Sequence, residues 1–386
     1  MSKIRPKFLS CAVSLSLSAA CSVPAAAGTF VYVSNADDGD ISTYTLKYDE
    51  GKLEPGARML AGSFVMPMDA DAKGRYLYAS VRSEPWSVQS YRIHPDTGAL
   101  TWVGSAPLPE SMVHIQLDRT GRWLLSASYG ANVLSVSAVG ANGQVALEPT
   151  TVIPSGGVKP HSVRISKDNR FVIIPHLGTD EVRSYRFNAD SGALDYAEPA
   201  STKVEKNTGP RHSEASADGR FLYVLGEMAG TVTVYGRNAQ TGSLTQLQTV
   251  ASQPADTKLI PGVPRAPSGP GMPPPPEGAD RMIMSADIHI TPNGRFLYTS
   301  ERTGSTLSRF AVDQATGRLT LLGLTPTEKV PRGFAIDPDG RFLIAAGQES
   351  PTISLYAIDD ATGDLTLKQQ VPAGKGANWV EIVRTH

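Results

Sequence analysis

At 386 residues, with 36 Lys and Arg against 37 Asp and Glu, the chain carries a formal charge of −1 and shows no basic excess for a nucleic-acid partner. Its 40% hydrophobic content is that of a globular protein, and beyond the N-terminal leader no stretch is long and apolar enough to cross a bilayer as a helix, so no membrane span is expected. Both cysteines, Cys11 and Cys21, lie near the N-terminus, so the rest of the chain has no thiol for a disulfide, a thiolate metal site or a cysteine nucleophile.

Residues 1–27 read as a signal peptide. Lys3, Arg5 and Lys7 supply the charged start, Phe8 to Cys21 the short apolar run, and Ala25-Ala26-Ala27 the small-residue cleavage site before Gly28. The expected location is therefore periplasmic or secreted. A lipoprotein reading of Leu17-Ser18-Ala19-Ala20-Cys21 is weaker, because Leu17 stands one place too far upstream.

From Gly28 to His386 one phrase recurs: a turn pair, an arginine, then apolar or aromatic residues. A degenerate copy, GTFVYVSN, starts at Gly28. GRYLYAS follows from Gly74, GRWLLSAS from Gly121, NRFVIIPH from Asn169, GRFLYVLG from Gly219, GRFLYTSE from Gly294 and GRFLIAAG from Gly340. The spacings are 46, 47, 48, 50, 75 and 46 residues. Each unit has a strand before the turn, the GRFLY-like strand, a third strand such as VRSYRF or ISLYAI, and a fourth after a turn such as DTGAL. Alternating apolar and polar residues give the strand period, and Asp-Gly or Asn-Gly supplies the positive φ of a tight hairpin. Four antiparallel strands in about 46 residues is the length of a propeller blade.

The terminal GANWVEIVRTH reads as a first strand without its second, and GTFVYVSN as a second without its first. Joined, they complete one blade and remove two sheet edges. The expectation is an all-β, seven-bladed β-propeller over residues 28–386, closed by pairing of its N- and C-terminal strands. A β-sandwich array explains neither the constant period nor the split unit. The long fifth spacing holds a proline-rich insertion, residues 254–281, expected as an extended surface loop because proline lacks a ladder donor. Its functional reading is a lid or a contact for a protein partner.

First strands line a propeller's channel. Those here carry His114, His161, Arg211, His212, Asp287, His289 and Arg332. Centring each hairpin on its turn puts Arg211 one place off register from Glu227, pairs His161 with His176 and sets Arg302 opposite Ser285. His161, Arg211, Glu227, Asp287, Arg302 and Arg332 are then expected at one channel rim, the convergence a pocket needs. The arginine after each turn and Tyr78, Tyr223 and Tyr298 recur with the repeat and read as structural. No metal-ligand spacing, Gly-x-Ser-x-Gly elbow or phosphate-cradling loop appears, so neither metal nor cofactor is expected.

The phrases TGPRHSEASADGRFLYVLGE, ADIHITPNGRFLYTSERTGS, TPTEKVPRGFAIDPDGRFLIAAGQES and GANWVEIV resemble, in order, the lactonase family of seven-bladed propellers, typified by the cycloisomerase-type 6-phosphogluconolactonases. The resemblance implies a site of His161, Arg211, Glu227 and Arg302, with Arg332 matching a further family arginine. It implies hydrolysis of a sugar lactone, of the 6-phosphogluconolactone or gluconolactone type, to the aldonic acid. His161 or Glu227 would act as base, Arg211 and Arg302 as oxyanion donors, and His212, Asp287, His289 and Arg332 as substrate contacts. The alternatives are muconate-type lactone formation and an exported propeller that binds or scaffolds without catalysis. Export and the proline-rich insertion both depart from the family pattern.

Overall fold

A computed structural model describes Met1, residues 28–264 and residues 276–385. Apart from Met1, the expected leader lies outside the described residues, as does the proline-rich centre of the insertion, residues 265–275. The described residues form twenty-eight strands in seven four-stranded antiparallel sheets and a single 3-10 turn, Ala279–Arg281.

The recurrent phrase is the first hairpin of each sheet. In one blade, Pro210–Ala215 and Phe221–Gly226 flank a turn in which Gly219 adopts φ 72°. Asp218 Oδ1 accepts from Arg220 N at 3.0 Å, and Ser216 Oγ accepts from Phe221 N at 3.0 Å, so side chains satisfy the turn amides. The arginines after the turns are structural, as expected: Arg75, Arg170, Arg220, Arg295 and Arg341 stack on the ring that follows each of them. Tyr78, Tyr223 and Tyr298 are all buried.

Rings at this position of the repeat also dock on a neighbouring blade. Phe30 packs against Gly98, and Phe171 against Gly242, where an added Cβ would meet the ring at 2.3 Å in both cases. Glycine is required twice over there, because Gly98 and Gly242 also hold positive φ. Between the sheets lie continuous apolar layers, such as Val31, Val33, Ile344, Leu355 and Val380.

The ring closes as the split repeat requires. Thr29–Asn35 pairs antiparallel with Ala377–Arg384, with Phe30 opposite Val383 and Val33 opposite Val380. The two chain ends thus share one sheet and leave neither edge open.

One backbone feature went unforeseen. The innermost strands carry a bulge near the same channel end: between Val65 and Met68, Pro210 and Ser213, Ser285 and Ile288, and Pro331 and Gly333. The extra residue shifts the pairing by one place. His176 therefore lies opposite Pro160 rather than His161, and Ser285 opposite Glu301 rather than Arg302. Bulges re-aim side chains, and these turn Arg211, His212, Asp287 and Arg332 into the channel. The insertion is not a free loop at its ends. Ile260 bridges Met282, and Gly262 N donates to Met228 O at 2.8 Å, beside Glu227.

Candidate active site

Matching positions of the inner strands stack as rings with one residue per blade. The mouth ring holds Met66, Val113, His161, Arg211, Ala286, Arg332 and Asn378. One step deeper come His114, His212, Asp287 and Trp379, and two residues further along each strand Asp69, Gln116, Arg164, Glu214, His289 and Glu381. Strand alternation sets these levels roughly 7 Å apart over two residues.

Glu227 organises the mouth. It begins the link after the second strand of its blade, where its amide donates to Gly209 O at 2.8 Å. Arg211 Nε donates to Glu227 Oε2 at 2.7 Å. Arg302 Nη2 lies 2.9 Å from Oε1, an ion pair without hydrogen-bond alignment. His161 Nε2 stands 3.8 Å from Oε2. Backbone carbonyls fix the two guanidinium groups further: Arg211 Nη1 donates to Ala286 O, and Arg302 Nε to Met284 O at 2.9 Å. Arg211 and Arg302 are only 1% and 2% exposed, so these charges are paired in a low-dielectric setting.

Burial pushes the Glu227 carboxyl up, but Arg302, Arg211 and Arg332 outweigh it and hold it down to about 2. It is an anion at any ordinary pH. His161 is driven well below the usual histidine range, by burial first and then by Arg211, His212 and Arg332, so it rests neutral. Its Nδ1 is buried without a partner. A proton on Nε2, toward Glu227, leaves Nδ1 as an acceptor.

Below the mouth, Asp287 holds two histidines. Its Oδ1 lies 2.8 Å from His212 Nδ1 and its Oδ2 3.2 Å from His289 Nε2. Burial lowers His212 to about 4 and leaves its Nε2 unpartnered, edge-on to His161 and His114. His289 is raised instead: burial pushes it down, but Asp287 and Glu214 prevail. At that far end Asp69 is pushed up to about 7, chiefly by burial, and Glu381 well above the carboxylate range by burial and by Asp69.

The structure therefore brings His161, Arg211, Glu227, Arg302 and Arg332 to one mouth. His212 and Asp287 lie a layer deeper, and His289 belongs to the far ring with Glu214, 3.7 Å from its Nδ1. The expectation that placed Asp287 at the mouth missed the bulge. Two residues at the mouth escaped sequence reasoning, Arg82 and Tyr129. Like Glu227 and Arg302, each is the eighth residue after its turn glycine, and counting along the repeat would have found both.

Comparison with known proteins agrees with this architecture. A family model described as lactonase, 7-bladed beta-propeller, matches residues 25–382. A 6-phosphogluconolactonase of Serratia proteamaculans is 37% identical over 92% of this chain and 98% of its own length. One from Pectobacterium carotovorum is 38% identical over 80% and 84%. Among solved structures, the periplasmic gluconolactonase of Pseudomonas aeruginosa superposes with a TM-score of 0.79 at 26% identity, covering 92% of this chain and 99% of that one. On the whole-length family match, the repeat and the closed ring together, the chain belongs to the lactonase family of seven-bladed β-propellers.

Proposed function

We propose that the chain hydrolyses a sugar-acid lactone at the channel mouth. The observation that carries the reading is the Glu227 carboxylate held by Arg211 and Arg302 beside a neutral, buried His161. Water attacks the lactone carbonyl while His161 Nδ1 takes its proton, and Glu227 steadies the imidazolium through Nε2. Both carboxylate oxygens of Glu227 are engaged by arginines, which leaves the unpartnered His161 Nδ1 as the group that accepts the proton. Nη2 of Arg211 and the guanidinium of Arg332 carry N–H groups not committed to protein acceptors, and they face the developing oxyanion. The carbonyl re-forms, the ring C–O bond breaks, and the proton on His161 passes to the departing alkoxide. The product is the aldonic acid, whose new carboxyl releases its proton to solvent and remains among the arginines as the carboxylate of an aldonate.

Support comes from the named activities of the Serratia and Pseudomonas relatives. The leader-like residues 1–27 and the periplasmic setting of the Pseudomonas relative support export as well. The test is ring opening of glucono-δ-lactone by purified protein, corrected for spontaneous hydrolysis. His161→Gln is expected to lower kcat/KM by roughly 10²–10⁴-fold. Full activity in that variant removes His161 from the chemistry. No turnover by the wild type rejects the reading.

A further inference from the structure

The residue that takes the proton sits on irregular backbone. His161 precedes an inner strand of two residues, Arg164–Ile165, whereas the inner strands of the other six blades run four to eight. Its main chain is tied down all the same: His161 N donates to Pro175 O at 3.0 Å, and the Oγ of the next residue, Ser162, donates to Arg211 O at 2.9 Å. Those bonds fix the backbone but not the imidazole, because the outer torsion of a histidine side chain is broad and roughly two-fold. A catalytic imidazole is usually oriented by a hydrogen bond at its second nitrogen. Here that nitrogen, Nε2, stands 3.8 Å from Glu227 Oε2, too far for one, and the same oxygen already accepts from Arg211.

Rings touch it instead. Tyr129 meets His161 edge-on from the preceding blade, with centroids 5.3 Å apart and planes at 76°, and His212 meets it from the following blade at 5.5 Å and 67°. Edge-to-face pairs of this kind bias an equilibrium by up to about tenfold each. Each neighbour is itself fixed. The Lys159 ammonium lies 5.1 Å from the centroid of the Tyr129 ring. Lys159 holds φ 59°, its N donates to Asn132 Oδ1 at 2.7 Å, and its O accepts from Leu177 N at 3.0 Å. On the other side, His212 Nδ1 lies 2.8 Å from Asp287 Oδ1, which also accepts from Ile288 N at 3.0 Å. Asp287 Oδ2 accepts from Phe334 N of the next blade at 3.3 Å, and Asp287 N donates to Ser300 Oγ at 3.0 Å. The carboxylate cannot turn without breaking bonds to two blades, and it keeps the His212 proton on Nδ1. His114 and Trp379 crowd the His212 ring further, with centroids at 5.4 and 5.9 Å.

We infer that Tyr129 and the His212–Asp287 pair are positioning residues: they hold the His161 imidazole from the blades on either side and keep its Nδ1 aimed at the attacking water. The inference rests on the lactonase reading, in which His161 takes the proton, and adds the residues that make it an effective base. His212 and Asp287 then act through His161 and not by touching substrate. A loosened base costs rate, since misplacing a catalytic group by about 1 Å can lose roughly a hundredfold. A lost substrate contact would raise KM instead.

The test is steady-state kinetics on glucono-δ-lactone for the wild type, Tyr129→Ala, Tyr129→Phe and Asp287→Asn, together with nitrogen NMR of protein labelled at its histidine rings. Tyr129→Ala and Asp287→Asn are expected to lower kcat about ten- to a hundredfold with KM little changed. Tyr129→Phe restores the ring edge and should recover most of what alanine loses. In the wild type the His161 resonances should report one tautomer, with Nδ1 unprotonated at neutral pH, and in the two loosened variants a mixture of both. Tyr129 is half-buried, so its alanine variant decides the matter should Asp287→Asn not fold. Unchanged kcat in Tyr129→Ala, a loss carried by KM, or a single His161 tautomer in that variant overturns the clamp. So does a phenylalanine variant as impaired as the alanine one. The NMR signature needs no turnover. One tautomer in the wild type, lost in the variants, but with no lactone hydrolysis by the wild type, rejects the lactonase reading and leaves the clamp standing.

Discussion

Replacing Glu227 by Gln keeps the side chain's shape and removes the one anion at the mouth. Arg211, Arg302 and Arg332 are then left uncompensated in a buried site, and the new amide presents N–H groups toward guanidinium donors. The side chain is 9% exposed, so solvent screens the loss little. Holding a carboxyl at about 2 rather than its ordinary 4.5 corresponds to roughly 3 kcal/mol of folded-state stability. That agrees with the roughly 3–5 kcal/mol lost when one partner of a buried ion pair is removed. The sign follows from the depressed value: the contribution is fully present above about pH 5 and fades as pH falls toward 2. Urea denaturation followed by tryptophan fluorescence should show a midpoint lower by about 1 M at pH 7, for a slope near 3 kcal/mol/M, with the gap narrowing by pH 3. Activity on gluconolactone should fall about a hundredfold or more in the same preparation, since His161 loses its counter-charge. Equal midpoints at pH 7, or a gap independent of pH, would refute the reasoning that Glu227 is an anion pinned by arginines.

At the far end of the channel the sign reverses. Asp69 is raised from 3.8 to about 7, so its ionisation destabilises the fold progressively as pH rises from about 4 through 7. Asp69→Asn still accepts from Leu117 N, a contact of 2.5 Å, and should raise the urea midpoint at pH 8 while changing little at pH 4. Gly242→Ala drives a Cβ to 2.3 Å from Phe171 at φ 74° and should destabilise by about 2 kcal/mol or more in the same assay. Deleting residues 377–386 strips the partner from Thr29–Asn35 and exposes an all-buried strand edge. The truncated protein should be recovered aggregated or unfolded by circular dichroism, and a monomeric native fold would contradict closure through the two chain ends.

The architecture was legible because a propeller writes its period into the chain. Turn, arginine and aromatic recur in six of the seven blades, and the unmatched half-units at Gly28 and Ala377 announce the joint. The same periodicity delivered Arg211, Glu227, Arg302 and Arg332 to one opening. What it missed was set by backbone irregularity rather than by pattern. A bulge has no residue signature of its own in GPRHSE or SADIHI, yet it moves pairing by one place and sends Asp287 a layer deeper. Arg82 went unnoticed because VRSEP does not look like LGEMA or SERTG until the residues are counted from the turn. Which arginines are committed to Glu227 and which are not is a matter of side-chain reach, and no spacing rule encodes it.

A crystal structure with a bound aldonate, the product, tests the placement of the chemistry most directly. The account expects its carboxylate within hydrogen-bond reach of Arg211 or Arg332, with the carbon that was the lactone carbonyl beside His161 Nδ1. Ligand seated instead among Asp69, Glu214 and His289, or on the outer faces of the blades with the mouth unchanged, would contradict it.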